Sequence, residues 1–338
     1  MQDWLYFETG STWAPYNLAM EEALVDNLSL LEGRPCFLLW QNSPSVIIGR
    51  HQNARTEVNL EELKKRDINL VRRMTGGGAV YHDLGNINYS FVMPQAQQQT
   101  ISNADILAPM IDALKQLGIN AEMKGRNDLT IEGAGKFSGL ASRQPVAKFQ
   151  LHGTMMYDVD VSMLEKVLLV DPEKYKSKGI ASVKARVTNL KPLITGSLDE
   201  LWQTIKGAYT PEAAIIPDQI IQQAEHLAQT KYSQDEWNIG QSPAGDILLK
   251  KRFAFGSLEL HLQTNKNIIT QAKITGDFIT PSNTLEQIPV EALEEALVGL
   301  PSHDNSLLRQ AWSSFDFSRI FYGNVNKEEI LTMLFGQS

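Results

Sequence analysis

The residues best suited to chemistry lie in the run Arg72-Arg73-Met74-Thr75-Gly76-Gly77-Gly78-Ala79-Val80-Tyr81-His82-Asp83-Leu84-Gly85-Asn86. Three successive glycines remove every Cβ from the turn, so the backbone can take positive φ and converge its N–H groups on an anion. Arg73 places a cation beside that turn. A bare Gly-Gly-Gly reads more readily as a hairpin loop with a histidine packed behind it. The flanking arginines and the His82-Asp83-Leu84-Gly85-Asn86 continuation favour a site.

A second group follows in three pieces: Gly125-Arg126-Asn127-Asp128-Leu129, Gly133 through Ser142 with Lys136 inside it, and Leu151-His152-Gly153-Thr154. Small neighbours keep bulk away from the Lys136 ammonium, which lets it reach a carboxylate or phosphate as a point charge. Taken alone, Lys136 also reads as an exposed hairpin tip, His152 as a core histidine, and Asn127-Asp128 as an Asx turn. The stretch Lys174 to Lys191, which holds Lys178, Ser182 and Arg186, contains no acidic residue. In an acidic chain that reversal marks either an anion-facing segment or a loop kept soluble by its lysines.

The elements around these residues must hold them at strand ends. Asn69 to Arg73 reads as a strand into the glycines, and Asn86 to Met93 alternates as a half-buried strand out of them. Upstream, Trp4 to Glu8 is a short strand. A helix follows, with its cap near Ser11 or Thr12, Pro15 in its first turn, and Tyr16, Ala19, Met20, Ala23 and Leu24 on one face. Cys36 to Gln41 and Val46 to Gly49 are apolar runs that Asn42-Ser43-Pro44 would join as a hairpin. Asn59 to Arg66, Asp105 to Leu117, Ser162 to Leu169, Ser197 to Tyr209 and Asp218 to Gln229 read as helices, with a glutamine-rich connection from Gln95 to Thr100. From Lys250 a three-strand antiparallel meander is expected over 250–255, 257–262 and 268–274, followed by helices near 290–298 and 327–334.

A length of 338 residues suggests two domains, and 43% apolar with 21% charged residues describes an ordinary globular protein. The net charge of −8 argues against nucleic acid as the main partner, because phosphate-backbone binding needs a net basic face. The single cysteine, Cys36, rules out a disulfide framework or a Cys-ligated zinc site, and its apolar surroundings suit a buried structural thiol. The N-terminus lacks a signal-peptide pattern, and no window approaches the roughly 20 apolar residues of a bilayer span, so a soluble cytoplasmic protein is expected.

With these motifs in order, essentially the whole chain resembles a lipoate-protein ligase of the bacterial A type, within the biotin/lipoate ligase superfamily. The marks are the Arg72 to Asn86 run, Gly125 to Leu129, Lys136-Phe137-Ser138-Gly139, His152-Gly153-Thr154, Lys178-Gly179-Ile180 through Arg186 to Leu190, and Trp237 to Gln241. The resemblance implies an α+β fold. A large catalytic domain with mixed and antiparallel sheets flanked by helices would occupy 1–245, and a small α+β accessory domain 246–338. Met74 departs from the small hydroxyl residues that relatives often carry before the glycines.

The resemblance also implies ATP-dependent activation of lipoate to lipoyl-AMP with loss of pyrophosphate, aided by Mg²⁺. Transfer to a lysine would follow, on a lipoyl domain of a 2-oxoacid dehydrogenase E2 subunit or on the glycine-cleavage H protein. Lys136 would be the catalytic residue. Arg73, Gly76, Gly77, Gly78, Ala79, Val80, Tyr81 and His82 would meet the nucleotide and lipoyl head, with Asn127 and Asp128 placing phosphate and metal. His152, Gly153 and Thr154 would line the cleft, and the loop with Lys178, Ser182 and Arg186 would cover the adenylate. The segment from about Leu248 would rotate about Gly240 to Gly245. Two other readings stay open: a transferase of the same superfamily using a preformed activated acyl group, and a non-catalytic binding protein. The absence of a cysteine near His152 opposes a thioester transferase, and the presence of Lys136 and Arg73 opposes the binding protein.

Overall fold

The computed structural model describes residues 4–125, 127–169, 187–240, 242–243, 246–281 and 287–336. Arg126, Lys178, Ser182 and Arg186, together with Gln241, Ala244 and Gly245 of the expected hinge, lie outside the described residues.

The strands in chain order are β1 Leu5–Glu8, β2 Cys36–Trp40, β3 Ser45–Ile48, β4 Asn69–Arg72, β5 Val80–His82, β6 Asn86–Pro94, β7 Ala121–Lys124, β8 Asp128–Ile131, β9 Gly135–Arg143, β10 Lys148–Met156 and β11 Glu212–Ala213, then β12 Ile247–Phe253, β13 Gly256–Asn265 and β14 Ile268–Thr275. Eight form one mixed sheet in the order β11-β1-β2-β6-β10-β9-β8-β7, in which β1 runs parallel to both β11 and β2 and the remaining pairs are antiparallel. A second sheet, β4-β3-β5, stands apart from it.

Side chains alternate along β2: Phe37 and Leu39 join one core, while Cys36, Leu38 and Trp40 join another. The first core is closed by helices α3 (Asn103–Gln116) and α5 (Leu198–Ala208), through Leu107, Met110, Leu114, Leu201 and Ile205. The second is closed by α1 (Ala14–Asp26) and α6 (Asp218–Leu227), with Ile47 and Val71 of the second sheet. Helices α2 (Leu60–Arg66) and α4 (Val161–Val167) cover the far side of that sheet.

Several expectations need correction. Asn42-Ser43-Pro44 does not turn a hairpin: β2 already has β1 and β6 on its two edges, so β3 crosses into the other sheet. The strand β6 is not half-buried. It lies between two helix-covered cores, and Asn86, Asn88 and Ser90 are buried with the rest. Helix α1 starts at Ala14 with Trp13 at its cap position; Ser11 Oγ instead accepts from Trp13 N, 3.1 Å. A four-residue helix, Gln95–Gln98, occupies the glutamine-rich connection.

The β12-β13-β14 meander forms as expected and carries α7 (Val290–Glu295), α8 (Asn305–Ser313) and α9 (Lys327–Phe335). The sequence reading missed α8, whose Leu308 and fully buried Trp312 anchor it. The core of this C-terminal part draws only on residues from Ile247 onward, and none of the other three clusters reaches past Trp237. The two parts meet where Phe278 stacks on His51, ring centroids 4.9 Å apart, and where Gly276 N donates to His51 O at 2.9 Å.

Candidate active site

One row of paired residues runs across the large sheet. Trp40 pairs with Asn88, Asn88 with Thr154, and Gly139 with Asp128, while Gly139 N donates to Thr154 Oγ1 at 3.1 Å and so joins the two halves. At the usual spacing of about 4.8 Å between strands, Trp40 and Gly139 are roughly 14 Å apart. This row floors a cavity of about 1500 Å³ whose walls include Trp40, Asn88, His82, Lys136, Thr154 and Asp128.

Lys136 stands at one end. Its Nζ lies 2.6 Å from Asp128 Oδ1, and a Cβ on Gly139 would come within 2.8 Å of it. The missing side chain at Gly139 thus leaves the space the ammonium occupies. Val187 bridges Lys136, and Thr188 N donates to Lys136 O at 2.8 Å, so the chain returns beside the lysine after the expected covering loop. Lys136 is an early residue of β9, not a hairpin tip. His152 lies mid-strand in β10 and not at a strand end.

The glycine loop is shaped by two buried arginines with separate duties. Arg72 holds backbone carbonyls only, from Gly49, Arg50, Gln52, Trp237 and Asn238, and burial pushes its pKa down to about 9. Arg73 turns inward: Nη2 donates to Gly76 O at 2.6 Å and Gly78 O at 2.9 Å, and Nη1 donates to Ile47 O at 3.2 Å. Burial lowers Arg73 to about 10 against the opposing charge of Glu21, and the group stays protonated at neutral pH. Of the three glycines, Gly77 needs its φ of +93°, whereas Gly76 is needed because a Cβ would sit 2.6 Å from Phe278 O. A Cβ on Gly78 would meet no protein atom within 4 Å, and Gly78 faces the cavity.

Behind the row lies a buried polar chain. Arg73 Nε donates to Thr75 Oγ1 at 3.0 Å, Thr75 Oγ1 lies 2.8 Å from His152 Nε2, and His152 Nδ1 lies 2.9 Å from Glu21 Oε1. Ser90 Oγ donates to the same carboxylate and accepts from Trp40 Nε1 at 2.9 Å. With His152 carrying its proton on Nδ1, each hydroxyl in the chain donates once and accepts once. Burial alone would raise Glu21, but His152, Ser90 and the more distant Arg143 hold it below its ordinary range. The chain therefore fixes the middle of the row rather than reacting in it. Met74 packs into the α1 core, away from the cavity.

The structure brings together in this cavity Arg73, Gly77, Gly78, Ala79, Val80, Tyr81, His82, Asn127, Asp128, Lys136, His152, Gly153 and Thr154. Gly76 lies just beneath, against Phe278. Sequence reading missed Trp40, Glu21, Arg252 and Asp277. Glu21 and Trp40 gave no signal, because an acid on a helix and an aromatic in an apolar run look ordinary. Arg252 and Asp277, 3.4 Å apart, line the cavity from the C-terminal sheet. Cys36 is fully buried, and burial pushes its thiol up to about 12, which leaves no accessible thiolate for acyl transfer. Among the described residues no cluster of three or more His, Cys, Asp or Glu side chains could hold a metal. Nor is any helix among them long and apolar enough to cross a membrane.

Residues 14–210 match the lipoyl protein ligase A/B catalytic domain, and residues 242–334 match the bacterial lipoate protein ligase C-terminus. The chain is 34% identical over 324 residues to lipoate–protein ligase 1 of Staphylococcus aureus, covering 94% of this chain and 95% of that one. It superposes on P. falciparum LipL1, solved in complex with lipoate, with a TM-score of 0.78 at 22% identity over the whole of both chains. A lipoate-protein ligase A structure bound with ATP matches with a TM-score of 0.58 at 29% identity, over 71% of this chain and 99% of that one.

Proposed function

Because the chain belongs to the lipoyl protein ligase family, we propose that it activates lipoate with ATP and transfers the lipoyl group to a protein lysine. The observation that carries this reading is the Lys136 ammonium, held over side-chain-free Gly139 at the head of a cross-sheet row that ends at Trp40. That arrangement suits a medium-length acid with its tail at the aromatic end and its carboxylate at the cation.

In the first step a lipoate carboxylate oxygen attacks the α-phosphorus of ATP and the bond to pyrophosphate breaks. Lys136 opposes the negative charge that builds on the phosphorus and on the acyl carbonyl, already placed and without becoming acylated itself. Ala79, Val80 and Tyr81 flank the glycine loop on the way to the nucleotide, with Arg73 shaping that loop from behind. In the second step the acceptor's neutral lysine amine attacks the acyl carbonyl, AMP leaves, and the amine sheds its proton.

Mg²⁺ fits this site in one manner. It is commonly held by one or two carboxylates together with substrate phosphates, and Asp128 with Asn127 would supply the protein's share. The metal would neutralise phosphate charge.

We further propose a division near residue 245, with the part from about Leu248 swinging as a unit once the adenylate forms. The loop that holds Lys178, Ser182 and Arg186 would close over the adenylate, which its return beside Lys136 supports. The acceptor would be a lipoyl domain of a 2-oxoacid dehydrogenase E2 subunit or the glycine-cleavage H protein, and the setting cytoplasmic.

The test is the intact mass of each acceptor after incubation with this chain, lipoate and Mg²⁺, with and without ATP. An ATP-dependent lipoyl adduct is the expected result. An adduct formed only from supplied lipoyl-AMP would replace the ligase with a transferase.

A further inference from the structure

His82 lies at the Trp40 end of the row, ring centroids 6.5 Å apart, and its tautomer is fixed by Asn17 and Asn42, which do not line the cavity. The backbone carbonyls of Ser11 and Gln41 accept from Asn17 Nδ2, which settles the orientation of that amide; Asn42 Oδ1, 2.9 Å from the same Nδ2, shares one of its two hydrogens, since the reverse orientation of Asn42 would set two NH₂ groups face to face. Asn42 must therefore present its Nδ2 to His82 Nδ1, 3.1 Å away. A ring nitrogen that accepts leaves the proton on the other one, so His82 carries Nε2–H. Burial, with Arg73 and His152 nearby, pushes His82 down to about 3 and keeps the ring neutral at working pH. His82 is 3% exposed, lines the cavity, and its Nε2 has no hydrogen-bond partner among the described residues.

A buried donor without a partner is uncommon and asks for an acceptor from outside the chain. On the ligase reading the acid's carboxylate is claimed by Lys136 at the other end of the row, so what reaches His82 is the far end of the acyl chain. We propose that His82 selects a sulfur-bearing tail: its Nε2–H donates to a ring sulfur of lipoate, a contact that a hydrocarbon tail of equal length cannot make. This rests on the ligase reading above. With an octanoyl tail in place the donor stays buried and unpaired, which is a penalty against that substrate. Sulfur is a weak acceptor, so the discrimination sits at the low end of such penalties, about five- to tenfold.

The experiment measures kcat/KM for lipoate and for octanoate in the ATP-dependent ligation and reads their ratio, so that a general loss of activity cancels. Wild type is expected to favour lipoate. His82→Asn, which retains a polar group near Nδ1 and removes the Nε2 donor, is expected to lower the ratio about fivefold or more. His82→Gln, whose terminal amide reaches the Nε2 position, is expected to restore it.

A second measurement needs no variant and covers the case in which a substitution fails to fold. The carbocyclic analogue of lipoate, with both ring sulfurs replaced by CH₂, should be ligated about fivefold less efficiently than lipoate by the wild type. An unmoved ratio in folded His82→Asn, or equal use of the carbocycle and lipoate, overturns the proposal while leaving the ligase reading intact. A wild-type chain that ligates neither acid with ATP defeats the ligase reading itself.

Discussion

The carbonyl of Phe278 lies 2.6 Å from the point a Cβ on Gly76 would occupy, so the C-terminal part seats its backbone directly on the glycine loop. The contact can form only because residue 76 has no side chain. Gly76→Ala must push Phe278 away, and with it Asp277, which lines the cavity. A displacement near 1 Å at a reacting site costs about 10²-fold in rate. We expect Gly76→Ala to lose about that much in adenylate formation. Gly78→Ala, which meets no protein atom, should keep the wild-type melting temperature and raise KM for ATP or lipoate. Equal behaviour of the two variants in melting and kinetics would contradict this reading of the loop.

Lys136→Ala should leave the fold intact, since the side chain is partly exposed, and should lower adenylate formation about 10²- to 10³-fold, the usual loss for one preorganised electrostatic group. Pyrophosphate release in the presence of lipoate measures it. Near-normal turnover would remove the lysine from its proposed role.

These two residues also show what the sequence can and cannot carry. Lys136 and the glycines declare themselves locally, because unusual residue types sit together in the chain. The reasons they are needed are long-range. Gly76 answers to Phe278, about two hundred residues on, and Gly139 makes room for a lysine only because β9 bulges there against β8. Strand existence was legible from alternation, but partner choice was not. An apolar run such as Val46 to Gly49 does not say that the neighbouring strand has both edges taken. Glu21 was invisible for the same reason. Its partners Ser90 and His152 come from two other strands, and only the folded chain turns a helix acid into a buried hydrogen-bond centre.

Stability should fall as the pH drops below about 6.5. His51 is stacked on Phe278 between Arg50, Lys273 and Arg72, and burial first, then those cations, push it down to about 3; His82 is lowered equally. Between pH 6.5 and 3 the unfolded chain binds protons that the native state refuses, so unfolding gains on acidification. Each histidine contributes up to about 1.4 kcal/mol per pH unit inside that window. Carboxylates held low, such as Glu21 and Glu259, add their loss only below their ordinary value of 4.5, so between pH 6.5 and 4.5 the loss comes from the histidines, opposed by Glu294, whose carboxyl burial raises and which gains its proton first in the native state. His51→Phe keeps a ring against Phe278 and should flatten the slope of melting temperature over that interval. An unchanged slope would mean that His51 is solvated in the working protein.

Arg252 gives the sharpest test of what the C-terminal part does. It sits on β12, 3.4 Å from Asp277, and both line the cavity whose other wall holds Lys136 and Asp128. If ATP binds along the Lys136 side of this cavity, a guanidinium there would meet its phosphates, with Asp277 as its resting partner. If the C-terminal part swings away after activation, Arg252 matters for the first step and not for the second. Arg252→Ala should then raise KM for ATP or lower pyrophosphate release about tenfold, as loss of one charge-assisted bond predicts. Lipoyl transfer from supplied lipoyl-AMP to an acceptor domain should stay within about twofold of wild type. A parallel fall in both half-reactions would indicate that Arg252 acts by holding the small sheet in place, and Arg252→Lys separates the cases, since a lysine keeps the charge on the phosphate but loses the guanidinium's planar fit to Asp277.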